Sequence, residues 1–113
     1  VEFLNRWLSL AGQEPLARCQ DILSRPPSDR VDVALLLKMS PTLERQGRGA
    51  TLRLIEQLDA KHVVVSYAVK SLGGRETGML ETYERQFREN ISDRNWEIEK
   101  LVFDTELVLV ATP

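Results

Sequence analysis

The feature that most constrains the fold is an almost continuous apolar run, VDVALLLKM, from Val31 to Met39. A strand with one solvated face alternates apolar and polar residues, so this run favours a strand that is covered on both faces. A second run of this kind, rich in valine, extends from His62 to Val69. Between the two, leucines and Ile55 recur at the spacing of a helix. Two buried strands joined by a helix predict a βαβ unit and a parallel sheet.

The rest of the chain extends this α/β pattern. A first helix is predicted from Val1 to Leu10, and a short strand from Leu16 to Gln20 precedes a proline-containing loop over residues 21–30. One helix with a weakened start is predicted between residues 41 and 58, and another from Met79 to Asn90. The last two segments, Trp96 to Phe103 and Glu106 to Ala111, are close enough to form an antiparallel hairpin. We therefore expect one α/β domain over residues 1–113.

Composition excludes several classes of protein. No apolar run approaches the roughly 20 residues that cross a bilayer. The single cysteine, Cys19, cannot form an internal disulfide, which favours a cytoplasmic setting. One histidine and one cysteine argue against a zinc site, and no metal site is expected. The formal net charge of −2 argues against a globally basic nucleic-acid binder, but a local basic patch is compatible with it.

Polar residues follow three of the predicted strands. In open α/β sheets, ligands bind beyond the carboxyl ends of the strands. Asp21, the segment from Lys38 to Ser40 and the segment from Lys70 to Arg75 are therefore expected at one edge of the sheet. By itself, a lysine at this position is more often one that extends from a strand end to water. No pair of a nucleophile and a base stands out.

The loop KSLGGRETGM, from Lys70 to Met79, allows two interpretations. It could be a turn that needs glycine for its backbone angles, with solvated charges nearby. Alternatively, the glycines let the backbone approach a ligand while Lys70 and Arg75 supply donors to phosphate or base edges. The pattern GxxxxGK[ST] of a P-loop is absent.

Four stretches together go further: CQDIL (19–23), DVALLLKMSPTLERQ (32–46), VVVSYAVKSLGGRETGM (63–79) and TELVLV (105–110). In this order they closely resemble the aminoglycoside-resistance 16S ribosomal RNA methyltransferases that modify a guanine N7. The resemblance implies a Rossmann-like, seven-stranded S-adenosylmethionine-dependent methyltransferase sheet, mostly parallel with a final antiparallel hairpin. This chain is similar to the C-terminal half of that sheet.

The resemblance also implies roles for individual residues. Asp21 and Ile22 lie where the family holds the adenine of S-adenosylmethionine, and Lys38 lies at the edge shared by cofactor and target base. The resemblance likewise implies that Arg45 and Lys70 contact the 16S rRNA, and that Arg75 and Met79 position the flipped guanine. Glu106 matches a glutamate of the family's last strand, without an assignable role.

The chain also departs from the family. It contains neither the glycine-rich first βα turn nor the acidic residue that ends the second strand. Met39-Ser40-Pro41 stands where an aliphatic residue followed by proline is usual. We therefore expect rRNA methylation in the small ribosomal subunit only as part of a longer enzyme. The alternatives are a non-catalytic RNA-binding or association module and an inactive structural remnant. The run from Val31 to Met39 should then be an open sheet edge, so a homodimer or a missing N-terminal half is the expected partner.

Overall fold

The computed structural model describes residues 1–69 and 79–113. The described elements are α1 (Glu2–Leu10), β1 (Val31–Leu37), α2 (Ser40–Gln46), α3 (Ala50–Gln57), β2 (Ala60–Ala68), α4 (Met79–Asn90), β3 (Glu97–Val102) and β4 (Glu106–Thr112). The strands form one sheet in the order β1-β2-β4-β3. β1 and β2 are parallel, whereas β4 runs antiparallel to both β2 and β3. The α/β class and the final antiparallel hairpin are therefore confirmed.

The core lies between the sheet and the helices α2, α3 and α4. Alternate residues of β2 and β4 point into it, and the pairing of Val65 with Leu109 places both on the same face. The helices contribute Leu43, Leu54 and Phe87. Burying a side chain of this size contributes roughly 1.5–3 kcal/mol. None of the described helices is both long and apolar enough to cross a membrane.

The expectation that the first long strand is covered on both faces is wrong for this chain. Of the residues in β1 only Leu36 is fully buried. On the opposite face, Leu35 is 61% exposed and Leu37 is 57% exposed. β1 is also the outermost strand of the described sheet. The sequence of a strand shows that both of its faces are suited to packing, but it does not show whether a neighbour is present on each face. The described residues cover only one face of β1.

The predicted strand from Leu16 to Gln20 is also wrong, because this segment is irregular. A strand needs a neighbour with which to exchange backbone hydrogen bonds. Here the side chain of Asn5 takes that place: its Nδ2 donates to the Ala17 carbonyl at 2.9 Å, and the Ala17 N–H donates to its Oδ1 at 2.8 Å. Helix α1, which supplies Asn5, buries none of its side chains completely.

The single helix predicted between residues 41 and 58 is divided into α2 and α3. The two are joined by residues 47–49, the α2–α3 turn. Gly49 has a φ of 79°, a left-handed conformation that cannot continue a right-handed helix and that glycine adopts without steric cost. The other predicted elements agree with the described ones to within two residues.

Candidate cofactor and RNA site

Lys38 follows directly after β1 and is fixed by its backbone. Its N–H donates to both the carbonyl oxygen and the Oγ of Ser66 on β2, each at 3.1 Å. Its Nζ lies 3.1 Å from Oε1 of Glu106, the first residue of β4. Because β4 runs antiparallel to β2, its start lies at the carboxyl end of β2. The structure thus gives Glu106, which the sequence left without a role, an ion pair with Lys38.

This end of the sheet, where β1 and β2 finish and β4 begins, is called the carboxyl edge below. The side chains of Lys38 and Glu106 are 59% and 34% exposed. An ion pair with this exposure contributes about 0–1 kcal/mol, so its main effect is on direction. Glu106 holds the ammonium group of Lys38 over the carboxyl edge.

Asp21 opens an exposed turn, and it does not follow a strand as predicted. Its Oδ1 accepts hydrogen bonds from the N–H groups of Leu23 at 3.1 Å and Ser24 at 3.4 Å. These two bonds are the main reason that the pKa of the Asp21 carboxyl lies below its ordinary value. Its Oδ2 accepts no hydrogen bond from the part of the chain that the structure describes, so it is available to a donor such as the amino group of adenine.

Ile22 is half-buried and lines a groove of about 310 Å³ along the free side of β1. Met39, which follows Lys38, lines the same groove. One groove therefore holds both Ile22 and the residue that follows Lys38. The carboxylate of Asp21, which accepts hydrogen bonds, and the mostly apolar lining of the groove beside Ile22 have the chemistry that suits the adenine end of S-adenosylmethionine.

Arg45 lies on α2 beside an open cleft of about 640 Å³ between α2 and α4. Arg48 and Arg85 line the same cleft, which is called the arginine cleft below. Two tyrosines also line it, Tyr67 and Tyr83, whose rings are stacked with centroids 4.7 Å apart at an interplanar angle of 18°. Tyr67 is buried and Tyr83 is half-buried, so the guanidinium groups, and not the ring faces, are what this cleft offers to the phosphates of a nucleic acid.

A buried network of hydroxyl groups anchors α2 beside the carboxyl edge. The Oγ of Ser40, the first residue of α2, lies 2.8 Å from Oγ1 of Thr51 on α3. The hydroxyl of Tyr67 on β2 donates to the same Oγ at 3.3 Å. Burial raises the pKa of the Tyr67 hydroxyl, so it stays protonated and keeps this role as donor. The network fixes where α2 begins, two residues after Lys38.

Met79 is the first residue of α4 and is half-exposed. It lines an open cleft of about 600 Å³ together with Val69 and Phe103. Phe103 is 58% exposed and lies immediately before the turn between β3 and β4. Sequence reasoning missed Phe103, although an aromatic side chain at the end of a hairpin strand was a visible signal. Lys70 and Arg75 lie outside the described residues, so their predicted positions remain predictions.

Comparison with known proteins gives this arrangement a context. Residues 1–110 match the family described as ribosomal RNA methyltransferase (FmrO). A 16S rRNA (guanine(1405)-N(7))-methyltransferase of Frankia casuarinae is 37% identical over 111 residues, which cover 97% of this chain and 39% of the relative. A protein of the same name from Serratia marcescens is 38% identical over 90 residues, covering 79% of this chain and 36% of that protein.

Solved structures agree with these relatives. The crystal structure of the 16S rRNA methyltransferase RmtF in complex with S-adenosyl-L-homocysteine matches with a TM-score of 0.84 and 33% identity, covering 100% of this chain and 44% of that one. This chain spans about two fifths of the length of the curated relatives it matches. The resemblance seen in the sequence is confirmed: the chain belongs to the ribosomal RNA methyltransferase (FmrO) family.

Proposed function

We propose that this chain forms the cofactor- and RNA-facing part of a longer methyltransferase that modifies a guanine N7 in 16S rRNA and thereby gives aminoglycoside resistance. The observation that carries this proposal is the match of 97% of the chain to part of the Frankia casuarinae guanine-N7 methyltransferase. Its substrate would be the small ribosomal subunit, and its setting the cytoplasm. S-adenosylmethionine is the cofactor, as the S-adenosyl-L-homocysteine in the RmtF structure supports.

On the cofactor side, S-adenosylmethionine supplies an electrophilic methyl group when bound. The free Oδ2 of Asp21 would accept a hydrogen bond from the adenine amino group, and Ile22 would provide a backbone contact beside it. Lys38, directed by Glu106, would present a positive charge where cofactor and target base meet. These side chains bind and orient, and none of them needs to exchange a proton.

On the RNA side, the chemistry requires alignment more than acid or base catalysis. Guanine N7 carries a lone pair and no proton, so it can attack a methyl group directly once the two are in line. A base that is taken out of its stack costs a few kcal/mol, which contacts to the flipped nucleotide must offset. In this proposal Arg45 and Lys70 bind the RNA, and Arg75 and Met79 contact the flipped guanine.

A chimera tests this proposal. The matching segment of the Frankia casuarinae enzyme is replaced by residues 1–110 of this chain. We expect the chimera to transfer a labelled methyl group from S-adenosylmethionine to unmethylated small subunits and to protect cells against aminoglycosides. The same chimera with Arg75→Ala should bind the cofactor equally well but methylate poorly. A matched control is Arg6→Ala, which changes an exposed arginine of α1.

Two outcomes count against the proposal. A folded chimera that binds cofactor but leaves the small subunit unmethylated would show that this chain does not supply the RNA-facing part. Full activity of the Arg75→Ala chimera would remove the role assigned to that residue.

A second function, that of a non-catalytic association module, is favoured by one observation. The free edge and outer face of β1 expose apolar side chains, including Leu35 and Leu37. Such a surface suits a partner that adds a strand, either a second copy or the other half of a methyltransferase sheet. Light scattering of the isolated chain at low micromolar concentration tests whether that partner is a second copy. A concentration-independent monomer would argue against a module that pairs with itself.

A further inference from the structure

The α2–α3 turn is held from within by one carboxylate. Glu44 on α2 reaches across the turn, where its Oε1 accepts the N–H of Gly49 at 2.9 Å and its Oε2 accepts the N–H of Thr51 at 2.8 Å. These are backbone donors at the start of α3, which a helix leaves without partners of its own. A glutamate that satisfies both donors replaces the side-chain cap that α3 otherwise lacks.

The charge of Glu44 is matched to this position. Burial alone would raise the pKa of its carboxyl, but the hydrogen bonds from Thr51 and Gly49 outweigh burial, so the pKa lies below its ordinary value of 4.5. Glu44 is therefore ionised at neutral pH and accepts both bonds with a full negative charge, which strengthens them.

The turn is also held from outside. The Nη1 of Arg53 on α3 donates to the carbonyl oxygen of Arg48 at 2.9 Å. Arg53 thus holds the carbonyl of Arg48, and Glu44 accepts the N–H of Gly49, the next residue. A turn with both sides anchored keeps the backbone of Arg48 in one place.

The two arginines next to this anchor are free to act. Among the described residues, neither Arg45 nor Arg48 has a hydrogen bond or an ion pair through its guanidinium group. Both are exposed, and both line the arginine cleft. By contrast, Arg85 across the cleft has Glu89 within 3.9 Å. Unpaired guanidinium groups that project from a fixed backbone are suited to phosphate, which they bind through two parallel hydrogen bonds.

We propose that Glu44 is a positioning residue, which holds the α2–α3 turn so that Arg45 and Arg48 grip neighbouring RNA phosphates together. This inference rests on the proposed function and deepens it. It adds Arg48 as an RNA contact, and it gives Glu44 an effect opposite to that of its charge. By charge alone a carboxylate beside this cleft repels RNA, whereas by its hydrogen bonds it makes RNA binding stronger.

The test measures binding of the 113-residue chain to a fluorescein-labelled RNA hairpin carrying guanine 1405 of 16S rRNA, over a series of salt concentrations. The variants are Arg48→Ala and Glu44→Gln. Their matched controls are Arg6→Ala, on α1, and Glu97→Gln, an exposed glutamate of β3. Thermal unfolding followed by circular dichroism accompanies each variant.

We expect Arg48→Ala to weaken binding about fivefold, the value of one exposed ionic contact of about 1 kcal/mol. It should lower the slope of log K against log salt by about 0.9, as the loss of one phosphate contact requires. Glu44→Gln makes the chain more positive by one charge, yet we expect it to weaken binding and to lower the slope as well. Glu97→Gln makes the same change of charge and should leave binding unchanged or slightly stronger.

The outcomes separate this inference from the proposed function. If the unsubstituted chain does not bind the hairpin, the RNA-facing role itself is wrong. If it binds, but Glu44→Gln strengthens binding as much as Glu97→Gln does, Glu44 acts only by charge and the inference fails. If Glu44→Gln unfolds at the assay temperature, Arg48→Ala decides: binding and salt slope equal to those of Arg6→Ala would overturn the paired grip.

Discussion

Replacing Ser40 by alanine should reveal how strongly the buried hydroxyl network holds α2. Ser40, Thr51 and Tyr67 are 4%, 2% and 4% exposed, so water cannot readily replace a lost partner. The substitution removes the 2.8 Å bond of the Thr51 hydroxyl, which keeps the Glu44 carboxylate beside it, and leaves the Tyr67 hydroxyl without its bond of 3.3 Å. A buried polar group without a partner costs about 1–3 kcal/mol. The Tyr67 bond is long and the ring borders the arginine cleft, so we expect about 2–3 kcal/mol in total.

The assay is urea unfolding followed by far-ultraviolet circular dichroism, with Tyr67→Phe and the double variant measured in parallel. Tyr67→Phe alone should cost about 1 kcal/mol, because Ser40 keeps its bond to Thr51 and the phenyl ring keeps its contact with Tyr83. The double variant, Ser40→Ala with Tyr67→Phe, should be no less stable than Ser40→Ala alone, because it contains no tyrosine hydroxyl that could lose its partner. Ser9→Ala, on the exposed surface of α1, is the control and should change little. Strict additivity, or a loss below about 0.5 kcal/mol for Ser40→Ala, would refute the shared network.

Three further predictions concern association, pH and activity. Leu35→Lys on the outer face of β1 should shift an associating chain towards monomer in light scattering, whereas Leu101→Lys on β3, an exposed leucine away from that edge, should not; equal effects would refute the role of the β1 edge. The pKa of Glu44 is lower in the folded chain than its ordinary value of 4.5, so the stabilisation by its charge is complete above about pH 4.5 and is lost as the pH falls through the folded value. The difference in free energy of unfolding between the unsubstituted chain and Glu44→Gln should therefore be smaller at about pH 3 than at about pH 6 when both are measured by urea unfolding. A difference that is the same at both pH values would contradict this. The isolated chain should transfer no labelled methyl group to small subunits, because half of the cofactor site expected for the family is missing from residues 1–113, and transfer above background would show that this half is not needed.

Periodicity predicted those elements whose packing is local to this chain. The spacing of Leu80, Tyr83 and Phe87 identified α4 with its correct bounds, and the valine run identified β2 to within two residues. Both elements pack within the described domain, so their patterns and their surroundings agree. The predictions failed at Leu16 to Gln20 and on the outer face of β1. At both places the sequence pattern is that of a segment with a packing partner, and the described residues do not include that partner. A local sequence pattern does not indicate whether the partner is present.

The candidate site was predictable in part for a similar reason. That Lys38 lies at the carboxyl edge follows from the order of strands and helices alone. Its partner does not, because the pairing of Ala68 with Glu106 depends on the register between β2 and β4, which is set by packing over the whole sheet. The bonds of Glu44 to the start of α3 were equally invisible, since the sequence pattern suggested one long helix there.

The backbone of Lys38 has a consequence for how this position can change. Its φ of 57° lies in the left-handed region, where a residue with a side chain pays about 1–2 kcal/mol relative to glycine. Glycine and asparagine adopt this backbone conformation more readily, so lysine is favoured at this position only through its ammonium group. Stability and function therefore favour different residues here. Libraries of the chimera randomised at this position should diverge under the two pressures: selection for heat resistance alone should enrich glycine and asparagine, whereas selection for survival on an aminoglycoside should enrich lysine.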